Sequence, residues 1–283
     1  MSRERLGIGV HRKIYLTLLA ALLISGLARL AGCGGESTGG AESGDKGEET
    51  LTILAASSLT DAFGVLAKTF EKQHPGTEVR TSFGASSDML AQIQQGAPAD
   101  VFASAAEEEM DTAVNDGLVK GEPEIFVKNR EVIMVPEDNP ADIESFQDVT
   151  KPGTRLVLAE EGVPAADYAI EILGKANAEY GGDFEKDVLS NVVSREADVR
   201  ASVNRVTVGD ADATFGYASD YTPDARGRVK IVEIPPGLNI IATYPIAVLK
   251  DAKSPGLAKE WVDLVTGEEG QRVLKKWGFE PAV

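Results

Sequence analysis

Residues 51–73, LTILAASSLTDAFGVLAKTFEKQ, decide the fold class. The first five residues form a short apolar run that predicts a buried strand, and from Leu59 onward the apolar residues recur at helical spacing. The His-Pro-Gly sequence at 74–76 ends this helix. A strand that passes through a Ser-rich turn into a helix is the basic unit of an α/β sheet.

The same alternation continues along the chain. Further strands are predicted at residues 77–83, 100–103, 131–136, 156–159, 191–194, 213–217, 229–234 and 243–249, and further helices at residues 86–95, 107–116, 165–180, 198–208, 256–266 and 268–277. This order predicts an α/β fold of two lobes, each a mostly parallel sheet flanked by helices. Lobe one is predicted at residues 50–131 and 244–283 and lobe two at residues 132–243, joined by two crossover segments that form a hinge.

The first 32 residues predict a targeting segment. A basic start precedes Ile14–Ile24, an apolar run of eleven residues. A bilayer-spanning helix needs about 20 such residues, so residues 1–32 are predicted to be a signal peptide. Residues 30–33, Leu-Ala-Gly-Cys, resemble the lipobox of bacterial lipoproteins, in which the Cys is acylated and becomes the N-terminus. The alternative is an ordinary cleaved signal with a chance Cys33.

The next segment predicts a flexible tether over residues 33–49. It is rich in Gly, Ser and acidic residues and contains no large apolar side chain. Cys33 is the only cysteine, which excludes an intrachain disulfide. We therefore expect a protein outside the cytoplasmic membrane, in the periplasm or at the cell surface, lipid-anchored at Cys33.

The charge balance argues against a nucleic-acid partner. Residues 1–32 hold five of the 28 basic residues and one of the 45 acidic residues, so the remainder carries a net charge of −21. Binding to phosphate backbones needs clustered Lys and Arg. A small anion is still compatible with this charge, because its binding depends on local hydrogen-bond donors.

The sequence contains none of the common catalytic motifs, and we expect that the protein is not an enzyme and uses no cofactor. After the signal, the only histidine is His74, in a helix-ending turn, and no cysteine is free to act as a nucleophile. There is no G-x-S-x-G, Walker A or H-E-x-x-H sequence. The acidic run at 107–109 stands at a helix start, where carboxylates favour the helix dipole.

Four turns combine small or polar residues with a helix start: residues 56–61, 83–88, 162–167 and 196–199. Ligands of open α/β sheets bind beyond the carboxyl ends of the strands, where helix N-termini offer free N–H groups to anions. Each turn also has a purely structural interpretation. Ser58 with Asp61 resembles a capping box, Ser86 suits an N-cap, and Pro164 suits a first helical position.

These turns closely resemble the molybdate-binding proteins of bacterial ABC importers. The resemblance covers residues 50–280 and rests on the stretches TILAASSLTDA at 52–62, FGASSDMLAQI at 83–93, GAPADVFASA at 96–105, NR at 129–130, VPA at 163–165, DVR at 198–200, GYASD at 216–220 and YPIA at 244–247. It implies a type II periplasmic-binding-protein fold with a ligand cleft between the lobes.

The resemblance also implies a set of ligand-binding residues. Ser58 and Ser86 would each supply a hydroxyl and a backbone N–H, Ala165 and Val199 a backbone N–H, and Tyr217 its phenol O–H. The metal would be bound through the oxygens of its oxyanion, with no direct ligand from the protein. The family pattern requires Asp167 to point away from the cleft.

The resulting functional prediction is capture of molybdate, and of tungstate, by a monomer that delivers the oxyanion to an ABC transporter permease. A binding protein for sulfate or another small anion is the alternative within the same class. An enzyme on a two-lobed scaffold and a sensor domain are the alternatives from other classes. The former lacks a nucleophile and base, and the latter lacks a helix-turn-helix or transmembrane segment.

Overall fold

The computed structural model describes residues 49–282. The predicted signal peptide, the acylation site at Cys33 and nearly all of the predicted tether lie outside the described residues. Glu49, predicted as the last tether residue, is the first residue of a strand. Within the described range, no helix is both long enough and apolar enough to cross a membrane.

Ten strands and eight α-helices are found between residues 49 and 282. The strands are β1 (Glu49–Ala56), β2 (Thr77–Gly84), β3 (Val101–Ala103), β4 (Glu124–Pro136), β5 (Leu156–Ala159), β6 (Val192–Glu196), β7 (Ala213–Tyr217), β8 (Val229–Glu233), β9 (Ile241–Val248) and β10 (Glu280–Pro281). The helices are α1 (Thr60–Gln73), α2 (Ser86–Gln94), α3 (Glu107–Asn115), α4 (Pro164–Tyr180), α5 (Phe184–Leu189), α6 (Val199–Thr207), α7 (Pro255–Thr266) and α8 (Glu268–Lys276).

The strands form two sheets that share β4. In the first sheet the order is β2-β1-β3-β9-β4-β10, and in the second it is β8-β4-β7-β5-β6. Strand β4 changes partners between Arg130 and Glu131: it pairs with β9 up to Arg130 and with β7 from Glu131. All pairs that involve β4 or β9 are antiparallel, and the remaining pairs are parallel.

The predicted α/β architecture is confirmed, with three differences. Strand β4 begins at Glu124 rather than Glu131. Its first part was not predicted because residues 128–130 are polar, although Asn129 is buried in a polar network. The short helix α5 and the two-residue β10 were not predicted. The antiparallel pairs of β4 and β9 make both sheets mixed, and the predicted lobe boundaries remain a prediction.

Two large apolar cores pack against the sheets. The first core is centred on aromatic side chains: Phe63, Phe70, Phe126, Tyr244 and Trp261 are among its members. The second core packs α4 and α5 against the second sheet. Phe146, Leu173, Phe184 and Phe215 are among its members. The first core also includes Ala165, Val199 and Tyr217, so apolar packing continues into the region where the two sheets meet.

Replacing Phe63 by Ala should destabilise the fold by about 3–5 kcal/mol, because a large buried ring is lost from a packed core. Phe63 is fully buried, and its ring centroid lies 5.3 Å from that of Trp261 and 6.0 Å from that of Phe126. Urea unfolding measures the change. Val65→Ala on the same helix is the control, since Val65 is 39% exposed; an equal loss in both variants would contradict this account of the core.

Candidate functional site

One cavity collects the turns that follow β1, β2, β5 and β6. It is lined by small and apolar residues with three serines and one tyrosine: Ala56, Ser57, Ser58, Gly84, Ala85, Ser86, Ala105, Val163, Pro164, Ala165, Val199 and Tyr217. All five residues predicted to bind the ligand are in this set. The free volume of the cavity is about 10 Å³, far below the range of pockets for drug-sized molecules, about 300–1,000 Å³. The cavity therefore leaves room only for a very small ligand.

Helix starts supply the backbone N–H groups of the cavity. Ser86 is the first residue of α2 and Val199 the first of α6, while Ala165 is the second of α4. N–H groups in the first turn of a helix have no acceptor within the helix, and they lie at the positive end of its dipole. Ser58 lies in a 3₁₀ turn, Ser57–Leu59, that leads directly into α1. The site thus offers donors from four helical N-termini.

The two serine hydroxyls are held by hydrogen bonds to neighbouring residues. Ser86 Oγ accepts a hydrogen bond from the backbone N–H of Ala105 at 2.9 Å. Ser58 Oγ lies 3.0 Å from the hydroxyl of Tyr244, which itself accepts from the amide of Asn129 at 3.4 Å. Because Tyr244 accepts from Asn129, its own hydrogen is available to Ser58 Oγ. Ser86 thus accepts from a protein donor, which leaves its own hydrogen for the cavity, and Ser58 can do the same if Tyr244 donates to it.

These contacts exclude the capping interpretations of the two serines. The N-cap of α1 is Leu59 and that of α2 is Ala85, and neither helix has a side-chain cap. The hydroxyls of Ser58 and Ser86 are engaged with residues far along the chain instead. Pro164 does occupy the first helical position of α4, as its structural interpretation predicts.

Tyr217 presents a phenol hydroxyl without a partner. Its side chain is 1% exposed, and the hydroxyl oxygen has no hydrogen-bond partner among the described residues. Burial, followed by the nearby Tyr244 and Glu131, raises the pKa of Tyr217 well above its ordinary value. The hydroxyl therefore stays protonated. A buried and unsatisfied donor is costly, and it is explained if a ligand completes its hydrogen bonding.

The lining carries no charge on any of its described residues. One basic side chain, Arg200, follows the lining residue Val199 in α6. Its guanidinium donates to Asp61 at 2.6 Å and lies 3.5 Å from a carboxylate oxygen of Asp220. This ion pair joins α1 to α6 beside the cavity, and its charge is already balanced by the two carboxylates.

The acidic residue that the family pattern placed near the ligand is turned outward. Asp167 is exposed, and its carboxylate accepts a hydrogen bond from the backbone N–H of Gly162 at 3.0 Å. Gly162 has a φ of +82°, which favours glycine in this turn. Elsewhere, no group of three or more His, Cys, Asp or Glu side chains within residues 49–282 is arranged to hold a metal ion.

Sequence reasoning missed the residues that support the site from behind. Asn129 is fully buried and donates to Ser219 Oγ at 2.8 Å as well as to Tyr244. Both Asn129 and Tyr244 belong to stretches that carry the family resemblance, but no role followed from their local sequence. Their partners are 90 to 186 residues away, so only the folded chain shows the network.

Comparison with known proteins identifies the family of the chain. A family model of bacterial extracellular solute-binding proteins matches residues 51–280. The molybdate-binding protein ModA of Mycobacterium tuberculosis is 35% identical over 263 residues, which cover 93% of this chain and 95% of that protein. A Bacillus subtilis protein, provisionally named as an ABC transporter substrate-binding lipoprotein, is 29% identical over 267 residues, 94% of this chain and 96% of the relative.

The fold is shared with a solved structure. The sulfate-binding protein SubI of Mycobacterium tuberculosis superposes with a TM-score of 0.74 at 21% identity, covering 83% of this chain and 87% of that one. At this identity the likeness concerns the fold alone. It confirms the predicted type II periplasmic-binding-protein architecture.

Tyr244→Phe and Tyr217→Phe form a matched pair that tests the donor arrangement. In the absence of ligand, Tyr244→Phe should cost about 1–2 kcal/mol, because Ser58 and Asn129 each lose a buried partner. Tyr217→Phe should instead stabilise the ligand-free protein by about 1–3 kcal/mol, because it removes a buried hydroxyl that has no partner. Urea unfolding of both variants measures the difference, and equal losses would contradict the assignment of hydrogen-bond partners.

Proposed function

Since the chain belongs to the bacterial extracellular solute-binding protein family, we propose that it captures molybdate, and tungstate, outside the cytoplasmic membrane for an ABC importer. Its relatives are solute-binding proteins of transporters, and we propose no catalytic activity for it. The observation that carries the proposal is the small uncharged cavity, in which convergent hydrogen-bond donors meet. The 35% identity to a molybdate-binding protein over nearly the whole chain supports this choice of anion.

The ligand-binding residues that we propose are Ser58, Ser86, Ala165, Val199 and Tyr217. They supply roughly seven donors: the two serine hydroxyls, the phenol O–H of Tyr217, and the backbone N–H groups of the four residues other than Tyr217. Burying a dianion without compensation costs tens of kcal/mol, and each hydrogen bond to a charged group returns about 1.5–3 kcal/mol. A remainder of about 8–12 kcal/mol corresponds to micromolar to nanomolar binding.

A shell made of neutral donors selects a fully deprotonated anion. A hydrogen carried by the ligand would meet another hydrogen from the shell, so an anion such as hydrogen phosphate loses at least one hydrogen bond. Molybdate, tungstate and sulfate carry no such hydrogen at neutral pH. Sulfate therefore has to be rejected by size, and a site that fails to do so is a general receptor for tetrahedral dianions.

We further propose that the protein is a monomer held at the membrane by acylation of Cys33. Three observations support the anchor: the apolar run at 14–24, the Leu-Ala-Gly-Cys sequence at 30–33, and the lipoprotein name of the Bacillus subtilis relative. Two or three acyl chains give stable anchoring, whereas one is marginal. The tether at 33–49 would let the folded part reach a permease.

Calorimetric titration of the purified chain with molybdate, tungstate, sulfate and phosphate tests the ligand. We expect tight one-to-one binding of molybdate and tungstate only. Ser58→Ala with Ser86→Ala should weaken molybdate binding by at least about 100-fold, since two charge-assisted hydrogen bonds are lost.

Ser87→Ala is the matched control for the serine pair, because Ser87 is adjacent to Ser86 and does not line the cavity. It should bind like the parent. Unchanged affinity in the double variant would overturn the site assignment. Equal binding of sulfate would change the function to a general tetrahedral-anion receptor, and no binding of any of the four anions would overturn the proposed function.

Cys33→Ser should release the protein from the membrane fraction of the producing bacterium, because the thiol that carries the lipid is lost. Fractionation followed by immunoblotting measures the release, and incorporation of labelled fatty acid measures acylation. Membrane retention of the variant at the level of the parent would contradict acylation at Cys33.

A further inference from the structure

A buried carboxyl group without any partner lies beside the proposed anion site. Glu131 is 0% exposed, and neither of its carboxyl oxygens has a hydrogen-bond partner among the described residues. The backbone of Glu131, in contrast, is fixed on both sides by Asn239, whose amide donates to Glu131 O at 2.8 Å and accepts from Glu131 N at 3.3 Å. The side chain is thus held in place while its polar end is left unsatisfied.

Its position in the sheet directs Glu131 towards the cavity wall. Glu131 is the first residue of β4 to pair with β7, and its partner there is Tyr217. Side chains of directly opposed residues in an antiparallel pair lie on the same face of the sheet, about 4.5–5.5 Å apart at their Cβ atoms. The carboxyl of Glu131 therefore adjoins the tyrosine whose unpartnered hydroxyl lines the cavity.

The groups that surround Glu131 favour its neutral form. Burial first, and then the negative charge of Asp220, raises the pKa of Glu131 well above its ordinary value. Asp220 itself has its pKa raised to about 6 by burial, against the opposing effect of Arg200. From α4, Tyr168 also interacts electrostatically with Glu131.

Other titratable groups surround the pair of Glu131 and Tyr217. Tyr244 of β9 stacks edge-on to Tyr217, with ring centroids 5.9 Å apart. Arg200 is engaged with Asp61 and Asp220. Glu109 of α3 faces Tyr168 and Asp167, and burial raises the pKa of Glu109 to about 7. No basic side chain among the described residues forms an ion pair with Glu131.

We propose that Glu131 couples anion binding to proton binding: the oxyanion binds to the form of the protein in which Glu131 carries a proton. This inference rests on the proposed function. A dianion in the cavity and a carboxylate behind Tyr217 would place like charges in a region of low dielectric, without a cation between them. Binding and protonation therefore stabilise each other.

The proton balance of this step is simple. In the ligand-free protein, part of the Glu131 population is ionised at alkaline pH. When the dianion binds, a carboxyl oxygen of Glu131 takes up one proton from solvent, and this proton returns to solvent when the ligand leaves. Thermodynamic linkage requires the affinity to decrease as pH rises through the titration of the free protein, by up to about tenfold per pH unit.

Calorimetry with molybdate measures the proton uptake directly, when the full chain is titrated in buffers of different ionisation enthalpy over a neutral to alkaline pH series. The parent protein should take up a fraction of a proton that increases with pH and approaches one, and its affinity should decrease over the same range. Glu131→Gln should take up none, and its affinity should be independent of pH. Glu131→Met should behave in the same way, because no hydrogen bond to the carboxyl is lost.

Glu109→Gln is the matched control, since Glu109 also has a raised pKa but does not pair with a cavity residue. It should keep the uptake of the parent. Uptake that persists in both Glu131 variants, or that disappears only in Glu109→Gln, would overturn the proposal. Binding of molybdate by the parent without proton uptake at any pH would also overturn it and leave the proposed function intact, whereas no binding of any oxyanion would refute the proposed function itself.

Discussion

The shared strand β4 is the constraint on which the rest of the structure depends. Its first half is hydrogen-bonded to β9 in the first sheet, and its second half is hydrogen-bonded to β7 and β8 in the second. One continuous ladder thereby fixes the register of the two sheets relative to each other. The four turns that line the cavity come from both sheets, and their donors converge because this register brings them to the same place.

The same strand carries the buried polar groups that the cavity needs. Asn129 lies just before the change of partners and reaches Tyr244 and Ser219, which connects the hydroxyl of Ser58 to the second sheet. Glu131 lies just after it and adjoins Tyr217. In a site without charged lining residues, orientation of neutral donors replaces a counter-charge. Fixing those donors in advance avoids the cost of ordering them when the anion arrives.

Much of this architecture could be predicted from local patterns. The strand-to-helix turns at 56–61, 83–88, 162–167 and 196–199 are visible in the sequence, and all four meet at the cavity. The supporting network was not predictable, because the partners of Asn129 and Tyr244 are distant in sequence. The burial of Glu131 without a partner was not predictable either, because a single carboxylate in an apolar strand is as compatible with an exposed position as with a buried position. Helix α5 is too short, at six residues, for its periodicity to be recognised.

The ion pair between Asp61 and Arg200 has a consequence for the kinetics of exchange. It connects α1 to α6 across one side of the cavity, and both side chains are partly accessible to solvent. Separating α1 from α6 to release an anion requires these two charges to part. Mobile ions screen a partly buried pair at contact distance only weakly, so the link between α1 and α6 should persist at high ionic strength, even though no charged group touches the anion itself.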